Sequence, residues 1–212
     1  MKLYSYWRSS CSYRVRIALG LKGLEVEQAT VHLVEDGGQQ KAAEYTAVNP
    51  MQQVPALVLD DGTTLLQSLA IIEYLDETHP EPPLLPRHPV ARARARALAE
   101  VVNAGIQPLQ NLSVLQYMEA ELGGSKKTWC RHFIGRGLAA MEAMAQVSKG
   151  RYLVGDEPSI ADICLVPQLY NARRFELDMS LYPRLCSVDA ACANLVAFEQ
   201  AHPDHQPDTP AD

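Results

Sequence analysis

Five prolines fall among the eleven residues 79–89, His-Pro-Glu-Pro-Pro-Leu-Leu-Pro-Arg-His-Pro, and this run constrains the fold more than any other stretch. Proline holds φ at about −65° and carries no backbone N–H, so neither a helix interior nor a central strand can pass through it. What remains is a stiff, extended linker. The chain reads differently on its two sides. Before the linker, short alternating runs are separated by turn residues; beyond it, strand alternation is absent and helical periodicity takes over. The expected organisation is an α/β domain over 1–78, a linker over 79–89 and an all-helical domain over 90–212.

In the first domain, Lys2-Leu3-Tyr4-Ser5-Tyr6 reads as a strand, and Val15, Ile17, Ala18, Leu19 and Leu21 as the apolar face of a helix ending at Gly23. A second strand is expected over 25–31. Two strands joined by a helix form a parallel pair with a right-handed crossover. Residues 35–40 are loop by composition, and a short helix is expected over 41–46. Val54-Pro55 opens a strand over 56–59, where a proline need not donate to the ladder. Asp60-Asp61-Gly62 turns that strand into a partner over 63–66. Gln67-Ser68 then starts a helix, with Ser68 as its expected N-cap.

The joint between the first strand and helix is chemically the densest point. Arg8 is followed by Ser9, Ser10, Cys11 and Ser12 in one turn. A helix N-terminus has unpaired N–H groups and a partial positive charge, so it stabilises an anion placed there. Capping needs only one hydroxyl, and either Ser9 or Ser10 would serve. The surplus of small polar groups admits an anion or thiolate site as well as a simple cap.

In the helical half, a long helix is expected over 90–103, with Arg92, Arg94 and Arg96 on a solvated, ion-paired face. Pro108 is expected to kink the following helix, placing Gln107 and Asn111 on one face and opening them, with Ser113, toward a cleft. After Gly123-Gly124-Ser125 comes a helix over 126–149. Ser159-x-x-Asp162 has the spacing of a capping box, so Asp162 is expected to be buried and hydrogen-bonded. The helix that follows delivers Asn171, Arg173, Arg174 and Phe175, arginines that could simply complement its dipole. A last helix is expected over 182–201, before a polar, proline-rich tail. His202 and His205 in that tail lack carboxylate or thiol company, so no metal is expected.

Bulk properties narrow the partners. A net charge of −6 disfavours nucleic acid and anionic membranes. No run approaches the ~18 apolar residues of a membrane span, and the N-terminus lacks a signal-peptide pattern. The five cysteines (Cys11, Cys130, Cys164, Cys186, Cys192) are odd in number and never spaced Cys-x-x-Cys, which points to a reducing, cytoplasmic setting.

The segment Ser9-Ser10-Cys11-Ser12-x-Arg14-Val15-Arg16 resembles the active-site signature of zeta-class glutathione transferases, whose members act as maleylacetoacetate or maleylpyruvate isomerases. The resemblance extends across the chain through Val54-Pro55, Gln67-Ser68, the segment Gln107-Pro108-Leu109-Gln110-Asn111-Leu112-Ser113, and Asn171 to Phe175. It implies a thioredoxin-like N-terminal domain, an all-helical C-terminal domain and a homodimer. It implies glutathione as cofactor, contacted by Ser9, Ser10, Cys11, Gln40, Val54, Gln67, Ser68, Gln107, Asn111 and Ser113. Val54-Pro55 is similar to the cis-proline turn of thioredoxin-like folds and is expected to be cis.

The reaction implied is cis–trans isomerisation of a maleyl keto acid, a small dicarboxylate. A thiolate adds to the cis double bond, charge moves to the keto oxygen, rotation follows, and elimination gives the fumaryl product. Ser9 would hold the thiolate, with Ser10 and Cys11 assisting, and Arg8 and Arg174 would hold carboxylate and developing oxyanion. Arg173 would be the outward neighbour. Thiol redox chemistry would need a cysteine where Ser9 stands. A dehalogenase of small 2-halo acids on the same site, or a non-catalytic interaction module, are the alternatives.

Overall fold

In the computed structural model, which describes residues 1–210, β1 (Lys2–Ser5) lies at the centre of a four-stranded sheet. With β2 (Glu27–Thr30), β3 (Ala56–Val58) and β4 (Thr64–Leu66), the order is β2-β1-β3-β4. β2 runs parallel to β1, pairing Lys2 with Glu27 and Ser5 with Thr30. That is the geometry a crossover through α1 (Ser10–Lys22) imposes. β3 pairs antiparallel with both β1 and β4. Helices α2 (Ala43–Val48) and α3 (Ser68–Thr78) complete the element set expected before the linker. α2 starts two residues later than expected because Gln39–Lys41 is a separate 3₁₀ turn.

α1 and α3 pack together beside this sheet. Leu3, Val15, Ile17, Ala18, Leu57, Ile71, Ile72 and Leu75 are all fully buried. Each of the larger ones contributes about 1.5–3 kcal/mol by leaving water. α1 stops where Gly23 takes φ 64°, a left-handed cap that a glycine adopts without penalty.

Two compact units divide the described chain, Met1–Pro82 with Leu195–Asp212, and Pro83–Asn194. The division falls inside the proline run, but the first residues of that run are not a loose linker. Lys22 Nζ donates to Asp76 Oδ1 (2.7 Å) and to the carbonyls of His79 and Pro82, so the run is tied to α1 as far as Pro82.

The second difference is at the C-terminus, where an all-helical domain was expected to continue to residue 212. The segment from Leu195 onward belongs with the sheet instead. The expected helix over 182–201 is broken into α8 and α9 (Pro183–Cys192 and Val196–Gln200), because Leu195 is extended (φ −98°, ψ 125°). α9 lies against α1, where a Cβ on Gly20 would stand 3.0 Å from Ala197 Cβ.

In the second unit, α4 (Pro89–Asn103) packs chiefly on α7 (Ile160–Arg174), with α5 (Leu112–Leu122) and α6 (Lys126–Ala145) alongside. α6 ends four residues short of the expected 149. Arg92, Arg94 and Arg96 are exposed. The capping box is present at the start of α7. Asp162, fully buried, accepts from Ser159 N (2.8 Å), Ser159 Oγ (2.9 Å) and Leu153 N (2.9 Å). Burial pushes its carboxyl up to about 6 against the pull of those donors.

Candidate active site

Ser9 is the N-cap of α1, and its Oγ accepts from Ser12 N at 3.2 Å. That bond uses the oxygen as an acceptor and leaves the hydroxyl proton available to donate elsewhere. Ser10 and Cys11 follow in the first turn, both partly exposed, and no acidic residue occupies that turn. Ser12 is fully buried. The donor set at this helix start is hydroxyls, a thiol and backbone N–H, the chemistry that accommodates a thiolate or carboxylate. Arg8 sits just before it with its guanidinium 5.1 Å from the Trp7 ring centre.

The start of α3 departs from the expectation in one respect: the N-cap is Gln67, and Ser68 is the first helical residue. Gln67 takes φ 70°, ψ 120°, a strained conformation for a side chain with a Cβ. Ser68 is buried, and its Oγ accepts from Arg14 Nη1 at 3.2 Å. Arg14 is itself fully buried on α1, so one buried cation lies behind the N-terminus of a second helix that has no acidic first turn.

Val54 is nearly buried and its bond to Pro55 is cis. The carbonyl before it, on Gln53, accepts from Tyr45 Oη (2.6 Å) and Asn49 Nδ2 (2.7 Å). Burial raises the Tyr45 hydroxyl pKa, keeping it a donor. Gln40 is buried in the 3₁₀ turn, donating from Nε2 to Leu33 O at 3.3 Å. Gly38, at φ 103°, gives it room, since a Cβ there would lie 2.7 Å from Gln40 Nε2.

In the second unit, Pro108 does not kink a helix. α4 has already ended at Asn103, and Gln107–Gln110 is a 3₁₀ turn with proline in its opening positions, where a missing N–H costs nothing. Asn111 is therefore not on a helical face with Gln107. It is the N-cap of α5, and its Oδ1 accepts from Ser113 N (3.2 Å) and Ser113 Oγ (3.0 Å). The turn is held by Trp129 Nε1 donating to Leu109 O (2.8 Å) and by Gln110 Nε2 donating to Gln168 Oε1 (2.7 Å). Gln107 is partly exposed and Ser113 exposed.

Arg174 ends α7, exposed, with its guanidinium 4.7 Å from the Phe175 ring centre. Arg173 is not simply solvated: its Nη2 donates to Asp189 Oδ2 at 2.6 Å on α8. The Cys130 thiol is pushed up to about 11 by burial, with the Arg174 charge acting the other way, so it stays protonated.

Sequence reasoning gave no role to Arg14, Arg16, Tyr45 or Asn49, which hold the groups around the candidate site. Arg14 and Arg16 carried a signal: two arginines inside an otherwise apolar helix face must be bonded internally if they are buried.

Comparison with known proteins places these features in a family context. Residues 8–78 match the glutathione S-transferase N-terminal domain and residues 134–195 the glutathione S-transferase C-terminal domain. The chain is 51% identical to maleylacetoacetate isomerase of Rattus norvegicus over 99% of its own length and 95% of the relative's. Against the Pseudomonas aeruginosa enzyme of that name, identity is 47% over the whole of both chains. Among solved structures, a maleyl pyruvate isomerase described as a bacterial zeta-class glutathione S-transferase matches with a TM-score of 0.95 and 44% identity, covering 99% of this chain and 100% of that one. Maleylacetoacetate isomerase of Anaeromyxobacter dehalogenans, solved with glutathione bound, matches with a TM-score of 0.90 and 53% identity over 99% of this chain and 97% of that one.

Proposed function

This chain belongs to the glutathione S-transferase family, in its zeta class, and from that membership we propose that it is a glutathione-dependent cis–trans isomerase converting a maleyl keto acid to its fumaryl isomer. Glutathione is its cofactor. The observation that carries the reading is the start of α1, where Ser9 caps a turn of small donors with no acid among them. When bound, glutathione supplies a thiol that adds reversibly to the cis double bond and leaves unchanged after rotation.

The residues act by holding groups and charges. Ser9 donates to the sulfur while the first-turn N–H groups and the helix dipole favour the anion; Ser10 and Cys11 assist. A free thiol titrates at about 8.5, so these donors must lower that value for work near neutrality. Gln67 and Ser68 take the γ-glutamyl carboxylate at the start of α3, backed by the Arg14 charge. Val54 offers its backbone to the cysteinyl residue, and Gln40, Gln107, Asn111 and Ser113 contribute further contacts. Arg8 and Arg174 pair with substrate carboxylate and with the charge developing on the keto oxygen.

The unit containing the sheet supplies most of the glutathione contacts and the helical unit supplies Arg174 for the substrate, and the protein works as a homodimer in the cytoplasm. The resemblance supports the dimer, and an odd number of cysteines with no Cys-x-x-Cys spacing supports a reducing compartment. No helix among the described residues is long and apolar enough to cross a membrane. Light scattering giving a particle of 23.4 kDa at micromolar concentration would defeat the dimer.

Steady-state isomerisation of maleylpyruvate and maleylacetoacetate, with and without glutathione, tests the function. Turnover that requires glutathione without consuming it is the expected result. Isomerisation independent of glutathione, or halide release from 2-halo acids with no isomerisation, would overturn it.

A further inference from the structure

The loop that carries Arg8 and Ser9 is gripped from behind by side chains outside the candidate site. Arg16, 5% exposed, spends its whole fork there. Nη1 donates to Ser5 Oγ (3.1 Å) and Tyr6 O (3.4 Å), Nη2 to Trp7 O (3.0 Å), and Nε to Ala201 O (3.1 Å). Tyr6 O also accepts from Ser9 N at 3.0 Å, so the guanidinium is one carbonyl away from the backbone of Ser9. On the other edge of the same peptide, Trp7 N donates to Asp208 Oδ2 at 2.9 Å. Asp208 is held in reach because Gln206, buried, donates from Nε2 to Gln200 O (2.9 Å) and His202 O (2.8 Å), folding the tail back on itself.

We propose that the C-terminal segment, through Ala201 and Asp208 with Arg16 as the joint, is a clasp that positions the Arg8–Ser9 loop for thiolate stabilisation. Bonds to a carboxylate or guanidinium are about twice as strong as neutral ones, and the clasp places one on each edge of the Tyr6–Trp7 peptide and a third on the Trp7 carbonyl. A displacement of about 1 Å in a group that must meet a reacting atom can cost on the order of 100-fold in rate. Arg16 and Asp208 are positioning residues: they act on Ser9 through Tyr6 and Trp7. The proposal rests on Ser9 as the thiolate-holding residue.

Two measurements on Asp208→Ala and Asp208→Asn test it, with Asp204→Asn as a tail control of equal charge change. Amide hydrogen exchange over residues 6–12 needs no ligand. It should quicken about tenfold or more in Asp208→Ala and less in Asp208→Asn, which keeps an acceptor oxygen. Ultraviolet titration of the thiolate of bound glutathione should show its pKa raised by about 0.5–1 unit in Asp208→Ala, with kcat at neutral pH lower by roughly 3- to 10-fold and the glutathione KM within about twofold. The control should move neither readout.

Unchanged exchange in residues 6–12 would overturn the clasp whatever the ligand does. Faster exchange with an unshifted thiolate titration would overturn its coupling to Ser9. A wild-type protein that forms no thiolate with glutathione would defeat the Ser9 reading itself, and the exchange data tell that failure apart from the clasp's. If Asp208→Ala does not fold, Asp208→Asn carries the same decision with smaller shifts.

Discussion

In the proposed mechanism Ser9 and Arg174 divide the chemistry, and single substitutions separate their roles. Ser9→Ala removes one donor from a developing thiolate and should cost roughly 10²-fold in turnover with the fold intact, whereas Cys11→Ala should cost much less. Abolition by Cys11→Ala with a mild Ser9→Ala would mean that the protein's own thiol is the nucleophile. Arg174→Ala should lower kcat/KM on the dicarboxylate by about 30- to 150-fold, the cost of an unpaired carboxylate, and do far less to an uncharged electrophile. Arg174→Lys should rescue little, since an ammonium has no planar fork. Arg173→Ala should leave turnover unchanged but lower stability by up to about 1 kcal/mol, because its partner Asp189 is on a neighbouring helix. Equal losses on charged and uncharged substrates would make Arg174 structural. The cap at Ser9 was legible because it is a bond between residues three apart. The Arg173 pair spans sixteen residues and left no local trace.

Among the elements, the start of α7 and the contact of α1 with α9 give opposite lessons. Asp162 closes a capping box readable from its spacing, and the structure adds that its carboxyl is pushed up to about 6. An acid raised in the folded state above the ordinary value of 3.8 contributes stability below the latter that is lost as pH rises through about 6. Denaturant unfolding at several pH values should therefore show the advantage of wild type over Asp162→Asn shrinking between about pH 4 and 7, and a gap that widens would refute the assignment. Gly20 carried no signal. Alanine there gains about 1 kcal/mol of helix propensity, yet its Cβ would sit 3.0 Å from Ala197 Cβ, and such overpacking costs about 1–3 kcal/mol. Gly20→Val should be clearly destabilising in thermal melts, and Gly20→Ala near neutral or mildly so. The same limit explains the mistaken kink at Pro108: a local rule was applied to a helix expected to run through it, where the chain forms a 3₁₀ turn over Gln107–Gln110 and starts α5 only at Leu112. Likewise the start of α3 moved by one residue because Gln67 takes a backbone conformation that no local preference favours.

For the whole molecule, the division into strand-bearing and helical halves was visible in the proline run, because proline acts through the backbone alone. The return of the C-terminus to the first unit was not. Its bonds link residues 185 and 201 positions apart, and nothing in a window of sequence reports on such a partner. That return sets the order in which the molecule can be made. On the ribosome, Trp7 and Arg16 emerge well before Asp208 and Ala201, the partners that lie 201 and 185 positions further on. At about 5–20 residues per second, the sheet, whose fourth strand ends at Leu66, waits on the order of ten seconds or more with its rear grip missing. The helical unit, whose chain is continuous, can settle during that interval. The unit begun before the helical one is therefore completed after it, and a nascent chain stalled before residue 201 should present an open Arg8–Ser9 loop to proteases and chaperones.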